Sequence, residues 1–151
     1  MRRVVANAYD VGVFVSRMAR CHFDERVDRT LGVVDDSFEP SNPAWVRGGV
    51  IYTNYSDAAI WMHVAGRGEA WITKEMLWKA FHYPFVQLGC VRIYGLVEAA
   101  NDPALRFDLR LGFSVVASLP EMFASGPGLV VSMRRDECRW LRLAPAEMME
   151  A

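Results

Sequence analysis

Apolar residues Val11, Phe14, Val15, Met18 and Cys21 recur with the i, i+3, i+4, i+7 spacing of one helix face, and Ser16, Arg17 and Arg20 fall on the other side. Asp10 stands where an N-cap would start that helix. A short apolar run over residues 3–6 fits a strand before it. After it, residues 22–29 are charged and irregular, and 30–34 read as a second strand ending at Asp35-Asp36. Ser41-Asn42-Pro43 breaks the chain. Two β-branched and aromatic runs follow, 46–53 and 58–65, joined by Asn54-Tyr55-Ser56-Asp57 as a hairpin. Thr73 is the expected cap of a helix whose stripe is Leu77, Ala80, Phe81, Pro84, Phe85 and Leu88, and Pro84 should kink it or end its regular part. Past Gly89, residues 90–97 are apolar on both faces, which predicts a central strand covered on both sides. Asp102-Pro103 is the expected cap and first turn of a helix over 103–111 that Gly112 stops. Residues 113–119 and 129–133 then form a last strand pair around the loop 120–128.

The hairpin is antiparallel, whereas the strand–helix–strand crossover demands parallel pairing. The order therefore predicts one α/β domain with a mixed central sheet and helices on both faces. That domain is expected over 1–143, with 144–151 as a short C-terminal tail. At 52% hydrophobic and 23% charged residues, the composition excludes a disordered chain. A formal net charge of -1 provides no general attraction to nucleic acid or an anionic membrane. Arg134, Arg135, Arg139 and Arg142 read as solvated charges at a strand end. Cys21, Cys90 and Cys138 have neither paired nor zinc-ligand spacing, which predicts a reducing, cytoplasmic setting and no metal. Asn7 and Asp10 interrupt the N-terminal apolar run before it reaches signal-peptide length, and no stretch reaches membrane-spanning length. No nucleophile elbow or dinucleotide fingerprint is present.

One segment carries more than local structure. Asn101-Asp102-Pro103-Ala104-Leu105-Arg106-Phe107-Asp108-Leu109-Arg110-Leu111-Gly112-Phe113 resembles the pattern N-x-x-A-[IL]-R-[LF]-Y-x-[KR]-L-G-F of the GNAT superfamily of acetyl-coenzyme A-dependent N-acyltransferases. Asn101, Ala104, Leu105, Arg106, Arg110, Leu111, Gly112 and Phe113 match it. The strand over 90–97, preceded by Gln87-Leu88-Gly89, is similar to that family's fifth strand, and Met133-Arg134-Arg135-Asp136-Glu137 resembles its close. The likeness covers residues 45–140, and order and spacing agree together.

The resemblance implies a single-domain GNAT-like acyl-coenzyme A N-acyltransferase fold. It also implies acetyl transfer from acetyl-coenzyme A to an amine, of a small molecule or a protein, by direct attack; it leaves a homodimer open. By the same likeness, a fourth-strand N–H near His63 or Val64 polarises the thioester carbonyl, and the pyrophosphate falls to a loop and helix start comprising Gly66, Arg67, Gly68, Ala70, Trp71, Ile72 and Thr73, with Arg67 contributing a charged contact. Leu96, Val97 and Asn101 fall beside the pantetheine arm. His63 and Glu98 are the candidate bases, although a histidine on an apolar strand is also an ordinary core residue.

Two departures stand out. The family's loop pattern [RQ]-x-x-G-x-[GA] is not kept in order, and Glu69 adds negative charge where phosphate approaches. Asp108 occupies the position of the family's general-acid tyrosine, and a carboxylate with the ordinary pKa of about 3.9 is ionised and cannot donate a proton. The expectation is therefore that Asp108 is not an essential acid. The alternative reading is a non-catalytic GNAT-like interaction or inhibitory module with a decayed coenzyme A site.

Overall fold

The computed structural model describes residues 1–144, so the expected tail lies, beyond Ala144, outside the described residues. The chain runs β1 (Arg2–Ala6), α1 (Tyr9–Ala19), β2 (Arg29–Asp35), β3 (Val46–Ser56), β4 (Ala59–Gly66), α2 (Lys74–His82), β5 (Arg92–Glu98), α3 (Asp102–Leu111), β6 (Ser114–Phe123) and β7 (Gly126–Arg134). These strands form one mixed sheet in the order β1-β2-β3-β4-β5-β7-β6, in which only β4 and β5 are parallel.

Local signals set most element ends. The Thr73 hydroxyl accepts the Met76 amide at 3.1 Å and starts α2. Pro84 brings no N–H to the helical ladder, and the chain continues past α2 as a π-helical turn, Tyr83–Gln87, before Gly89 ends it at φ 72°. Gly112 closes α3 at φ 111°, where a Cβ would be strained.

Two expected caps are corrected. α1 begins at Ala8 without a side-chain cap, and Asp10 sits inside its first turn, where a negative charge complements the helix dipole. α3 is capped by Asn101, whose Oδ1 accepts the Ala104 amide at 3.2 Å; Asp102 is its first residue. The hairpins are also tighter than expected. Only Asp57 and Ala58 separate β3 from β4, and only Ala124 and Ser125 separate β6 from β7. Pro120 is tolerated within β6 because β6 is an edge strand with a register shift between Leu119 and Phe123.

The pleat divides the core into two. Ile51 pairs with His63 on the face covered by α1, where Val11, Val15, Val34 and Trp45 are buried. Tyr52 pairs with Met62 on the opposite face, beneath α2 and α3, with Phe81, Phe85, Ile93, Val131 and Met133. The Tyr52 hydroxyl donates to the Ala80 carbonyl at 2.5 Å and pins α2 to the sheet. β5 is internal, as expected, yet only one face is fully covered. Ile93, Gly95 and Val97 are buried, whereas Arg92, Tyr94, Leu96 and Glu98 are half-buried. α1 packs on β3 and β4, and the irregular segment before β2 places no helix over β5.

Candidate functional site

The parallel ladder between β4 and β5 holds for three pairs only, Ala59, Ile60 and Trp61 against Arg92, Ile93 and Tyr94. Beyond them the strands diverge, so the β4 backbone facing the gap, around His63 and Val64, has no strand partner there. The divergence opens a cavity of about 960 Å³, lined by β4 from 62 to 66, β5 from 95 to 98, the loop after β4, the inner side of α3 and the end of α1. Among the sequence-predicted residues, His63, Val64, Gly66, Gly68, Trp71, Ile72, Leu96, Val97, Glu98, Asn101 and Asp108 all border this one space. Arg67, Ala70 and Thr73 do not.

The loop after β4 is built around Trp71. Its indole is buried over Gly48 and Gly66, where a Cβ on either glycine would overlap the ring. Its Nε1 donates to the Gly68 carbonyl at 3.1 Å, and Gly68 takes a left-handed φ of 67°. Among the described residues, the amides of Gly68, Glu69, Ala70 and Trp71 donate to no protein acceptor, whereas those of Arg67, Ile72 and Thr73 bond to Arg47, Glu69 and Trp71 carbonyls. A run of free N–H groups two residues ahead of α2 offers a cradle for an anion, because unpaired amides and a nearby helix N-terminus both favour negative charge.

The charged residues around that cradle have other duties than the spacing suggests. Arg67 donates to the carbonyls of Val46 and Pro43, each at 3.2 Å, and lies 4.8 Å over the Phe14 ring. It clamps the loop to the chain ahead of β3. The Glu69 carboxylate is held by Arg110 of α3 at 2.7 Å, so it is not a free negative charge. Arg106 lines the cavity one helical turn before Arg110. Neither arginine was assigned to the site from sequence; the signal was their i, i+4 spacing on the helix that faces the glycine loop.

Three titratable groups border the cleft. His63, on the α1 face of β4, has its pKa lowered by burial, opposed in part by the charge of Asp28. Asp108, reaching in from α3, has its pKa pushed up to about 7 by burial, and its carboxyl makes no hydrogen bond among the described residues. This corrects the expectation of an ionised carboxylate: near neutrality Asp108 is protonated in a large share of molecules. Glu98 is tied down, accepting a hydrogen bond from the Ser125 hydroxyl and pairing with Arg20 at 3.6 Å. It joins the end of β5 to the β6–β7 turn and the end of α1. Burial, with Asp28, raises the Cys21 thiol to about 11, far from thiolate reactivity. No group of His, Cys, Asp and Glu among the described residues could hold a metal. No described helix is long and apolar enough to cross a membrane.

No protein-family model matches the chain, and no curated protein matches it by sequence. Solved structures do. Spermidine N-acetyltransferase from Vibrio cholerae, solved with coenzyme A and spermine, aligns over 90% of this chain and 96% of its own at 14% identity and a TM-score of 0.64. NAA60 of Arabidopsis thaliana, solved with a bisubstrate analogue, covers 89% and 98% at 13% identity and a TM-score of 0.67. The ribosomal-protein-S5-alanine acetyltransferase of Vibrio fischeri covers 91% and 94% at 14% identity and a TM-score of 0.61. With the mixed sheet, the parted β4 and β5 and the glycine-ended α3 already described, these alignments identify the architecture of the chain as the single-domain α/β fold of the GNAT N-acetyltransferases.

Proposed function

We propose that this chain is an N-acetyltransferase that transfers an acetyl group from acetyl-coenzyme A to an amine. The observation that carries the reading is one continuous cavity joining the loop of unpaired amides, bordered by Gly68, Glu69 and Trp71, to His63 and Asp108 within. The residues fit the co-substrate. The amides of 68–71 and the nearby Arg106 suit a pyrophosphate. The unpartnered β4 backbone opposite Leu96 and Val97 suits the amides of a pantetheine arm. Acetyl-coenzyme A supplies an activated thioester.

The roles of the chain's own groups follow from their placement. A β4 N–H near His63 or Val64, without a strand partner, polarises the thioester carbonyl. His63, its pKa lowered, is neutral at pH 7 and accepts the proton that the attacking amine sheds as its N–C bond forms. Asp108, with a pKa of about 7, donates a proton to the departing sulfur, whose thiol has a pKa of about 8.5, so this transfer runs downhill. Base and acid stand on opposite sides of the parted strands, which matches an acceptor and a leaving group that occupy opposite sides of the reacting carbon. Glu98, bound by Arg20 and Ser125, holds the acceptor side of the cleft together instead of serving as base.

Titration of coenzyme A by calorimetry, with thermal melting at saturating ligand, tests the reading. The expected result is measurable heat and a raised melting temperature, since a ligand at 100 times its Kd stabilises by about 2.7 kcal/mol. Absence of both would favour the non-catalytic module.

Glu69→Gln should tighten coenzyme A binding several-fold at low salt. The change removes a negative charge from beside the cradle and releases Arg110 for a phosphate. The gain should shrink as salt is raised, because both partners are exposed.

A further inference from the structure

Beside the cavity, on the same face of the sheet and one step back along β4 and β5 from its lining, lies a pair of half-buried aromatic side chains. Trp61 and Tyr94 share the α1 face with His63 and Leu96, two residues away along their strands. Their rings stack at 5.3 Å with planes 29° apart. Both are half-buried, and neither the indole N–H nor the phenol bonds to a protein group among the described residues. Beside Tyr94, Arg92 donates to Ser132 at 2.8 Å, and no carboxylate among the described residues pairs with it. At the cavity end, Met18 and Leu96 are apolar, and Glu98 is already paired with Arg20.

From these contacts we infer that the acceptor is a primary amine carried on a flat aromatic body, uncharged or anionic at its far end. This rests on the acetyltransferase reading above. Two residues along a strand span about 7 Å, which separates an amine beside His63 from a ring seated on Trp61 and Tyr94. Stacking on that pair holds the ring, and the unpaired Arg92 repels a second cation while favouring a carbonyl or carboxylate. A polyamine finds no free carboxylate at Glu98 and meets Arg92 at its far end. In the step itself the neutral amine nitrogen forms the N–C bond, the C–S bond breaks, the one proton the nitrogen loses on becoming an amide goes to His63, and the sulfur takes the proton of Asp108.

The test is thiol release from acetyl-coenzyme A with 2-phenylethylamine, tryptamine, hexylamine and spermidine. We expect kcat/KM for the two aromatic amines at least tenfold above hexylamine and spermidine. Trp61→Ala should raise KM for the aromatic amines about tenfold with kcat little changed, and Trp61→Phe should restore KM to within a few-fold. Preference for spermidine or hexylamine, or an unchanged KM in Trp61→Ala, overturns the acceptor class while leaving acetyl transfer intact. Coenzyme A binding without thiol release from any of the four amines also overturns it. Absence of coenzyme A binding removes the acetyltransferase reading itself, and this inference with it.

Discussion

Asp108→Asn is expected to lower turnover roughly 10²–10⁴-fold, the usual worth of a positioned acid, while coenzyme A affinity measured by calorimetry stays the same. The cause is burial, which raises the carboxyl to about 7 and keeps a proton available where the sulfur departs. The pH profile should show it. Wild-type turnover falls as pH rises through about 7, because the acid is then ionised, and the asparagine variant loses that alkaline limb. Stability supplies an independent reading. An acid whose folded pKa lies above its unfolded value favours folding fully below about pH 4, and that contribution is lost as pH rises towards 7. A shift of this size corresponds to at most about 4 kcal/mol. Asp108→Asn should therefore melt above wild type at pH 8 and close to it at pH 4. Retained turnover with an unchanged pH profile would show that Asp108 carries no proton for the reaction, as its ordinary pKa had suggested.

Trp71→Ala is expected to have the largest effect on the loop. The indole is buried across Gly48 and Gly66 and holds the Gly68 carbonyl, so its removal costs the transfer energy of the ring and leaves a cavity. Truncations of this kind cost about 3–5 kcal/mol, a large part of the 5–15 kcal/mol typical of a domain. Trp71→Phe separates the two contributions. It keeps a ring over the glycines and removes only the Nε1 bond, so it should cost about 1 kcal/mol and weaken coenzyme A several-fold by loosening Gly68. Gly66→Ala should act on the same contact from beneath, since its Cβ would displace the indole. Chemical denaturation and calorimetry on the three variants read both effects. If Trp71→Ala keeps wild-type stability and coenzyme A affinity, the indole does not support the cradle.

The parts of this protein legible in sequence are those set within a few residues. Thr73, Pro84 and Gly112 act through their own hydroxyl, ring or φ, and each ends or starts its element as expected. Where two local signals compete, sequence did not choose between them. Asn101 and Asp102 are both good caps, and only the course of the chain after β5 gave the role to Asn101. Pro120, with Gly126 and Gly128, looks like a long loop, yet an edge strand with a bulge accommodates it.

By itself, then, the sequence determined the order of elements, the mixed sheet and the helix-and-glycine segment that carries the GNAT likeness. The state of each site group was decided by tertiary structure. Glu69 is paired with a residue 41 positions away, Glu98 is held by Arg20 at the end of α1 and Ser125 in the β6–β7 turn, and Arg67 is bound to the carbonyls of Pro43 and Val46. The Asp108 carboxyl is raised to about 7 because parting strands and α3 enclose it. Periodicity reports which face of an element is apolar, whereas charge and protonation depend on distance and burial among residues that only the folded chain brings together.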